Sequence, residues 1–597
     1  MPKLKRAFSG PPATPQKSVV IRRFGGLELR GGVASLDPCR SPNALNMILD
    51  DHQLPAKRTG FKRLRSFALY GGDIQGLHTA DIGGEERLLI HAGTQLWLYR
   101  EDGAEQLYSG LAAAPSTGFA ADGSYFLMDG TTLYKITGRT VQPALSNPYI
   151  PLTRKSASPS GTGGAGESPN LLTDYRRNSF LSDGETAVFK LDAYPVAGSV
   201  TARLQSGETY SEGQGLSVYA YAGTVTFQVP PSAGAEGVVI TYRAAGRPVG
   251  MAGLINRTTL WGRFGGTVFL SGNPDLPGRE WGSPDIAAAY FPDALQGDVG
   301  DPGIPIAGYI PHQEGLVILK RPGNDSGVYL RVDDSPPLPG GDGPSAIGGI
   351  GRVGSHCLYL SREGLMEITA ASRSSARRSR PCGTAIAPLL GRAGPADVRA
   401  FSVGGYYYLQ TTEGLMVGQV VTEGNREDIE WNHWQLPFAV AGFGSLGGRL
   451  YACSGSLLLR LCEPGEAGAY LDNGEAIAAH WSTPLLDMGE TGSYKRPTDL
   501  FVTLRPHHPR GSATVSLGSD WESPLEVGQF SLCRFDWNTL DFADFGFGSL
   551  DRPTTAHFVS GMAPAVHWQV TLSNNHAGSA MNLGDMQLNY CTTGLIR

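Results

Sequence analysis

The sequence predicts an all-β chain: a β-propeller interrupted by an immunoglobulin-like β-sandwich insert and followed by a C-terminal β-sandwich. Three observations carry this. Between Met251 and Glu463 an apolar run, a glycine-containing turn and a second apolar run recur, as TLWGRFGGTVFLSG, GYIPHQEGLVILKR, HCLYLSREGLMEIT, YYYLQTTEGLMVGQ and GRLYACSGSLLLRL. Alternation of apolar and polar residues around such turns makes β-hairpins, and hairpins repeating at roughly 35–50 residues belong to propellers and related circular arrays. Second, 81 Gly with 23 Tyr and 22 Phe suit many short strands joined by tight turns. Third, helical periodicity is sparse, with PNALNMILD and AIAPLLGR the best short candidates.

At 597 residues the chain exceeds one compact core, so three or four domains are expected. A 41% hydrophobic fraction supplies ample material to bury and excludes a disordered chain. The net charge of −6 excludes a polycation, so nucleic-acid affinity would have to be local. The seven cysteines are scattered without a CxxC pair, which points to reduced thiols in a protein made in the cytosol. Neither a signal-peptide h-region nor an apolar run of about 18 residues is present, so no leader and no membrane span are expected.

Taken in order, residues 1–23 form a basic flexible arm: Lys3, Lys5, Arg6, Lys17, Arg22 and Arg23 precede any acid. Residues 24–73 are an entry segment, in which Ser41-Pro42 opens a short helical turn, Asp50-Asp51-His52 makes a turn and Leu54 to Phe61 runs extended. Residues 74–150 hold the first propeller hairpins, RLLIHAGTQLWLYR and SYFLMDGTTLYKIT, turning at Ala92-Gly93 and Asp129-Gly130. Residues 151–170 are a Gly/Ser/Pro linker; their GTGGAG lacks the strand and helix that a nucleotide-binding loop needs. Residues 171–245 read as the inserted sandwich, with five short strands including the alternating TVTFQV. Residues 246–470 resume the propeller. Within them Ser372 to Arg399 is strongly basic (Arg373, Arg377, Arg378, Arg380, Arg392 and Arg399 against Asp397), either a solvated loop or an inter-subunit or lumen-facing one. Residues 471–597 form the C-terminal sandwich, with an aromatic, acidic loop from Phe535 to Leu550.

The opening of the chain resembles the opening of β-propeller tail and neck proteins of tailed bacteriophages. The matching positions are Gly25, Gly26, Leu27, Pro42, Ala44, Asn46, Arg58, Gly60 and Phe61. Ser-Gly-Asn-Pro-Asp after the strand ending near Phe269, and the order Thr-Pro, Asp-x-Gly, Lys495, Asp-Phe and a terminal Tyr in the last domain, resemble the same family. The resemblance implies a structural virion protein: a homo-oligomeric ring, six-fold in that family, around the DNA exit channel at the neck or nozzle. It implies other neck and tail proteins as partners, transient passage of double-stranded DNA, and a virion location after assembly in the host cytoplasm.

No catalytic constellation stands out. GxSxG, HExxH and Walker patterns are absent, His507-His508 sits between prolines, and nothing pairs two carboxylates in one site. The expectation is therefore no catalytic residues, no cofactor, no metal and no enzyme. Calcium at Asp275, Asp285, Asp298 or Asp301 lacks any dedicated loop spacing. Trp431, Trp434 and Phe438 read as blade core. The alternative function is a carbohydrate-binding, host-recognition tail-tip protein that stacks sugars on Trp431–Trp434 or Phe542–Phe547; a third is a propeller hydrolase.

Overall fold

Glycine turns set the strand pairing. Gly265 and Gly266 take φ of 57° and 87°, positive dihedrals of a two-residue hairpin turn, and leave Phe264 opposite Thr267. Three other hairpins close on His312 with Gly315, Thr411 with Gly414, and Ser454 with Leu457. His356–Ser361 lies beside Gly364–Ile368 in the same way. Each hairpin gains further strands to make a four-stranded antiparallel sheet, the unit of a propeller blade. The chain is all-β and propeller-type.

The computed structural model describes residues 15–69, 71–245, 250–313, 315–333, 336–339, 343–369, 379–390, 394, 398–424, 426–505, 510–533 and 553–595. It divides into two units, one of residues 1–68, 347–367 and 380–597, the other of 69–346 and 368–379.

The second unit holds four blade sheets. Their first strands are Ile74–Ile82, Thr117–Ala121, Leu260–Phe264 and Ile306–His312, and in each the strands follow in chain order. Facing sheets share apolar cores: Leu89 and Leu96 pack with Leu127 and Ile136, and Phe269 with Leu316 and Ile318. Met251–Asn256, where the propeller was expected to resume, is a short helix that leads into the third sheet.

The insert differs from the immunoglobulin-like sandwich expected of it. Its strands form one eight-stranded sheet, running from Leu152–Ala157 at one edge to Val188–Lys190 at the other. The reason is the long strand Gly234–Ala244, which pairs on both sides, with Tyr175–Ser182 and with Val196–Leu204, so no second sheet separates. The sheet curls on its own core: Phe180 near one end meets Phe189 of the last strand edge-to-face, ring centroids 5.4 Å apart. Leu152–Ala157 lies within the stretch expected to be a linker; it pairs in parallel with Tyr175–Ser182.

The first unit holds three blade sheets. Two begin at Ala346–Val353 and Arg399–Val403; in the former, Ala346, Ile368 and Ser379 fall to the other unit. In the third, Gly442–Leu446, Arg449–Ser454 and Leu457–Leu461 are completed by Phe61–Ser66, with Phe61 opposite Leu461. The C-terminal sandwich lies in this unit. One sheet joins Gln16–Ile21, Leu583–Leu595, Ser493–Leu504 and Thr554–Val559; the other joins Asn43–Leu45, Ala479–Ser482, Trp568–Asn574, Arg510–Ser519 and Leu525–Cys533. Leu500, Val502 and Leu588 bury against Val515, Leu572 and Trp481.

The N-terminus departs from expectation in two places. Gln16–Ile21, inside the expected flexible arm, is an edge strand, held where Lys17 pairs with Glu490. PNALNMILD is not helical: Asn43–Leu45 and Met47–Leu49 are strands, because Asn46 at φ 54° turns the chain in the left-handed region, which Asn tolerates. Among the described residues no helix is long and apolar enough to cross a membrane.

Candidate functional site

The residues that open the chain converge on one buried polar knot in the first unit. The Arg58 guanidinium is fully buried. Its Nη1 and Nη2 donate to the two carboxylate oxygens of Asp472 at 2.9 and 2.5 Å, and its Nε donates to Asn46 Oδ1 at 2.9 Å. Backbone carbonyls of Thr59 and Gln435 accept the remaining donors, both at 3.1 Å. A buried cation is tolerable only when paired and fully hydrogen-bonded. The guanidinium also lies over the Trp434 ring, 5.2 Å from its centroid. Asp472 Oδ1 accepts in addition from the Phe61 backbone N–H at 3.0 Å, which fixes the start of the closing strand. Asn46 Nδ2 donates to the Ala478 carbonyl at 2.7 Å.

Glycines let the backbones approach. A Cβ at Gly60 would stand 2.0 Å from the Leu471 carbonyl oxygen, and one at Gly26 2.3 Å from that of Trp431. Lys57 is buried beside the knot; its Nζ donates to Asn574 Oδ1 at 2.9 Å and to the His576 carbonyl at 3.1 Å. Burial, and next the Arg58 charge, bring its ammonium down to about 8. Next to these residues opens a cavity of about 360 Å³, whose lining includes Lys57, Arg58, Tyr406, Trp434 and Asn582.

Other titratable groups serve the sheets. In the second unit Ser116 Oγ lies 2.8 Å from His78 Nε2 and 2.9 Å from His91 Nδ1, while His91 Nε2 is 3.0 Å from the Gly93 carbonyl. His91 Nε2 therefore carries a proton donated to Gly93, Nδ1 accepts from the serine, and His78 donates to it. Burial, then the neighbouring His91, hold His78 neutral with a pKa of about 3. Among the described residues no carboxylate is hydrogen-bonded to His91: Asp129 accepts instead from the backbone N–H groups of Ala112, Thr131 and Thr132. The arrangement fixes side chains; it lacks the third group that a Ser-His nucleophile needs. Also in that unit, Arg331 pairs with buried Glu280 and stacks 4.0 Å from the Phe269 ring centroid.

Residues singled out in the sequence do not come together. Trp431 and Trp434 are 2% and 1% exposed, within blade cores, so they offer no sugar platform. Phe438 packs edge-to-face on Phe61. Asp275 pairs with Arg257 and Asp298 with Arg279, while Asp285 and Asp301 accept backbone N–H groups of their own turns. Among the described residues no three or more His, Cys, Asp or Glu form a group that could hold a metal. Of the basic stretch, Arg380 pairs with Glu367 at 2.8 Å; Arg373, Arg377, Arg378, Arg392 and Asp397 lie outside the described residues, as do Lys3, Lys5, Arg6, His507, His508 and Phe542–Phe547. The knot and cavity went unread as a site; Arg58 and Asn46 were visible only as motif positions, and nothing in sequence tied them to Asp472.

No protein-family model matches the chain, and no curated protein sequence matches it. Solved structures similar to it include the extracellular domain of a one-component system from B. thetaiotaomicron (9% identity, TM-score 0.24, 86% of this chain and 81% of that one). They also include an exo-β-1,3-galactanase from Phanerochaete chrysosporium (9%, 0.18, 55% and 95%) and a family 43 arabinoxylan arabinofuranohydrolase from Bacillus subtilis (9%, 0.18, 96% and 99%). At such TM-scores none of them assigns an activity, substrate or site to this chain. The expectation that the chain is not an enzyme is nonetheless corrected: glycoside hydrolases stand among the structures it is similar to, and that exclusion is withdrawn.

Proposed function

We propose that this chain is a structural virion protein of a tailed bacteriophage, a ring-forming neck or nozzle component around the DNA exit channel. The observation that carries the reading is the fate of the opening motif. Arg58, Gly60 and Phe61, three of the opening positions that carry the family resemblance, meet at Asp472, and a fourth, Asn46, joins them through Arg58. The motif is thus architectural: it joins the entry segment to a blade closed by Phe61–Ser66 and to the strands that begin the sandwich. A protein whose distinguishing residues are spent on internal bracing suits a scaffold under mechanical load.

Exposed apolar groups support subunit contacts. Tyr219, Tyr221 and Val229 of the insert are 64%, 81% and 76% exposed and are available for contacts between subunits. The net charge of −6 suits a component that DNA crosses without being held, since counterion release would bind DNA to a basic channel. Of the alternative, host recognition by sugar stacking, Trp431 and Trp434 have buried rings, while Phe542–Phe547 lie outside the described residues.

The test is cryo-electron microscopy and peptide mass spectrometry of the purified particle. A six-fold ring of this chain at the neck or nozzle is expected. Absence from the particle, together with a monomer at high concentration in solution, overturns the reading.

A further inference from the structure

We infer that the cavity beside Lys57 and Arg58 is a binding site for a neutral sugar, a mono- or disaccharide. This goes beyond the virion reading and does not depend on it. The cavity's volume, about 360 Å³, falls within the roughly 300–1,000 Å³ of small-molecule pockets.

Three observations select the ligand. The first is charge. The lining carries Lys57, Arg58 and Arg449 against Asp50, Asp51 and Glu463 and is balanced. The cations are also committed: Arg58 to Asp472, Arg449 to Glu463 at 2.7 Å, Lys57 Nζ to Asn574 and His576. An anion finds no uncommitted partner among them, and of the carboxylates Asp50 accepts from Arg505 and Glu463 from Arg449, so an uncharged ligand fits best.

The second is an acceptor left over. Asn582 lines the cavity and is 3% exposed, yet its Oδ1 has no hydrogen-bond partner. A buried unpaired acceptor is unfavourable, and a ligand O–H or N–H would satisfy it. The third is shape. Half-buried Tyr406 lines the same space in front of the buried Tyr408, Trp434 and Tyr470, and the accessible face of a tyrosine suits the apolar face of a pyranose ring. The deep wall is buried (Tyr408, Trp434 and Tyr470), whereas Asp51, Gly448, Glu463 and Pro464 are exposed and form the mouth. A hydroxyl-rich ring with an apolar face satisfies all three conditions.

The test is saturation-transfer NMR and isothermal titration of the full chain with D-glucose, D-galactose, N-acetyl-D-glucosamine, lactose and cellobiose. Inorganic phosphate and methylammonium serve as charged comparators. Saturable binding of at least one neutral sugar is expected, weakened about tenfold or more by Asn582→Leu and by Tyr406→Ala. It should be unchanged by Trp521→Ala, whose side chain is exposed elsewhere. Unfolding midpoints show that the variants fold; if Asn582→Leu does not, Tyr406→Ala decides. No binding of any sugar, binding of a charged comparator alone, or sugar binding that survives both cavity substitutions overturns the inference. None of these outcomes bears on whether the chain is found in a particle.

Discussion

Arg58 and Asp472, 414 residues apart in sequence, form a bidentate ion pair with side chains 0% and 5% exposed. Two charges out of water are held by each other, by Asn46, Thr59, Gln435 and the Phe61 N–H, and by the Trp434 ring under the guanidinium. Removing one partner therefore leaves an uncompensated buried charge. Asp472→Ala is expected to lower stability by about 3–5 kcal/mol, while Glu105→Ala, which removes a half-exposed pair with Arg100, costs under about 1 kcal/mol. Urea unfolding followed by tryptophan fluorescence measures both; equal costs would show that the knot is not a bracing element.

Gly60 tests the same joint from the backbone. Its missing Cβ lets the Leu471 carbonyl approach, and an alanine there would force a 2.0 Å contact. Gly60→Ala should cost upwards of about 2 kcal/mol, in the manner of overpacking. Gly253→Ala, where a Cβ meets nothing within 4 Å, should be neutral or slightly stabilising because Gly253 lies in a helix. Thermal unfolding of the two variants compares them directly.

Trp434→Ala should act on stability. The ring is 1% exposed, donates from Nε1 to the Met47 carbonyl at 2.8 Å and lies under the Arg58 guanidinium. A loss of about 3–5 kcal/mol is expected from the cavity alone. A variant with an unchanged unfolding midpoint would contradict a core role for this residue.

The pH response follows from His78. Its folded pKa is depressed to about 3 from the ordinary 6.5, so the native state keeps it neutral. As pH falls below 6.5 the unfolded chain takes up the proton first, and stability is lost down to about pH 3 at roughly 1.4 kcal/mol per pH unit for this group. His78→Gln should flatten the pH dependence of the unfolding midpoint by about one proton between pH 4 and 6. An unaltered slope would mean that the imidazole is protonated in the fold.

Lys57 works at the other end of the scale. Its folded pKa of about 8 lies below the ordinary 10.5, so the cost of burying the ammonium is present below pH 8 and relieved as pH rises towards 10.5. The wild type should therefore gain on Lys57→Met by about 2.4 kcal/mol between pH 7.5 and 10. Paired urea titrations at the two pH values check the sign.

Local chemistry was legible where it is complete within a few residues. Gly265-Gly266 and Asp129-Gly130 each carry their own turn: Gly supplies positive φ, and Asp129 caps the N–H groups of Thr131 and Thr132. The blade hairpins followed from such pairs. PNALNMILD failed because its apolar spacing fits a helix, while contacts with Ser482, Trp481 and His480 hold Asn43–Leu45 as a strand. The insert failed because the number and length of strands do not state whether they split into two sheets or stay in one. Gly234–Ala244 settles that by pairing on both edges.

By itself the sequence determined the all-β class, the hairpins and their turns, since alternation and glycine placement are properties of neighbouring residues. Only the tertiary structure decided that Phe61–Ser66 completes a sheet begun almost 400 residues later, that Arg58 finds Asp472, and that Asn582, with an unused acceptor, lines a cavity. Those are long-range pairings. They are set by which buried polar groups and strand edges must be satisfied together, and no local pattern records the partner.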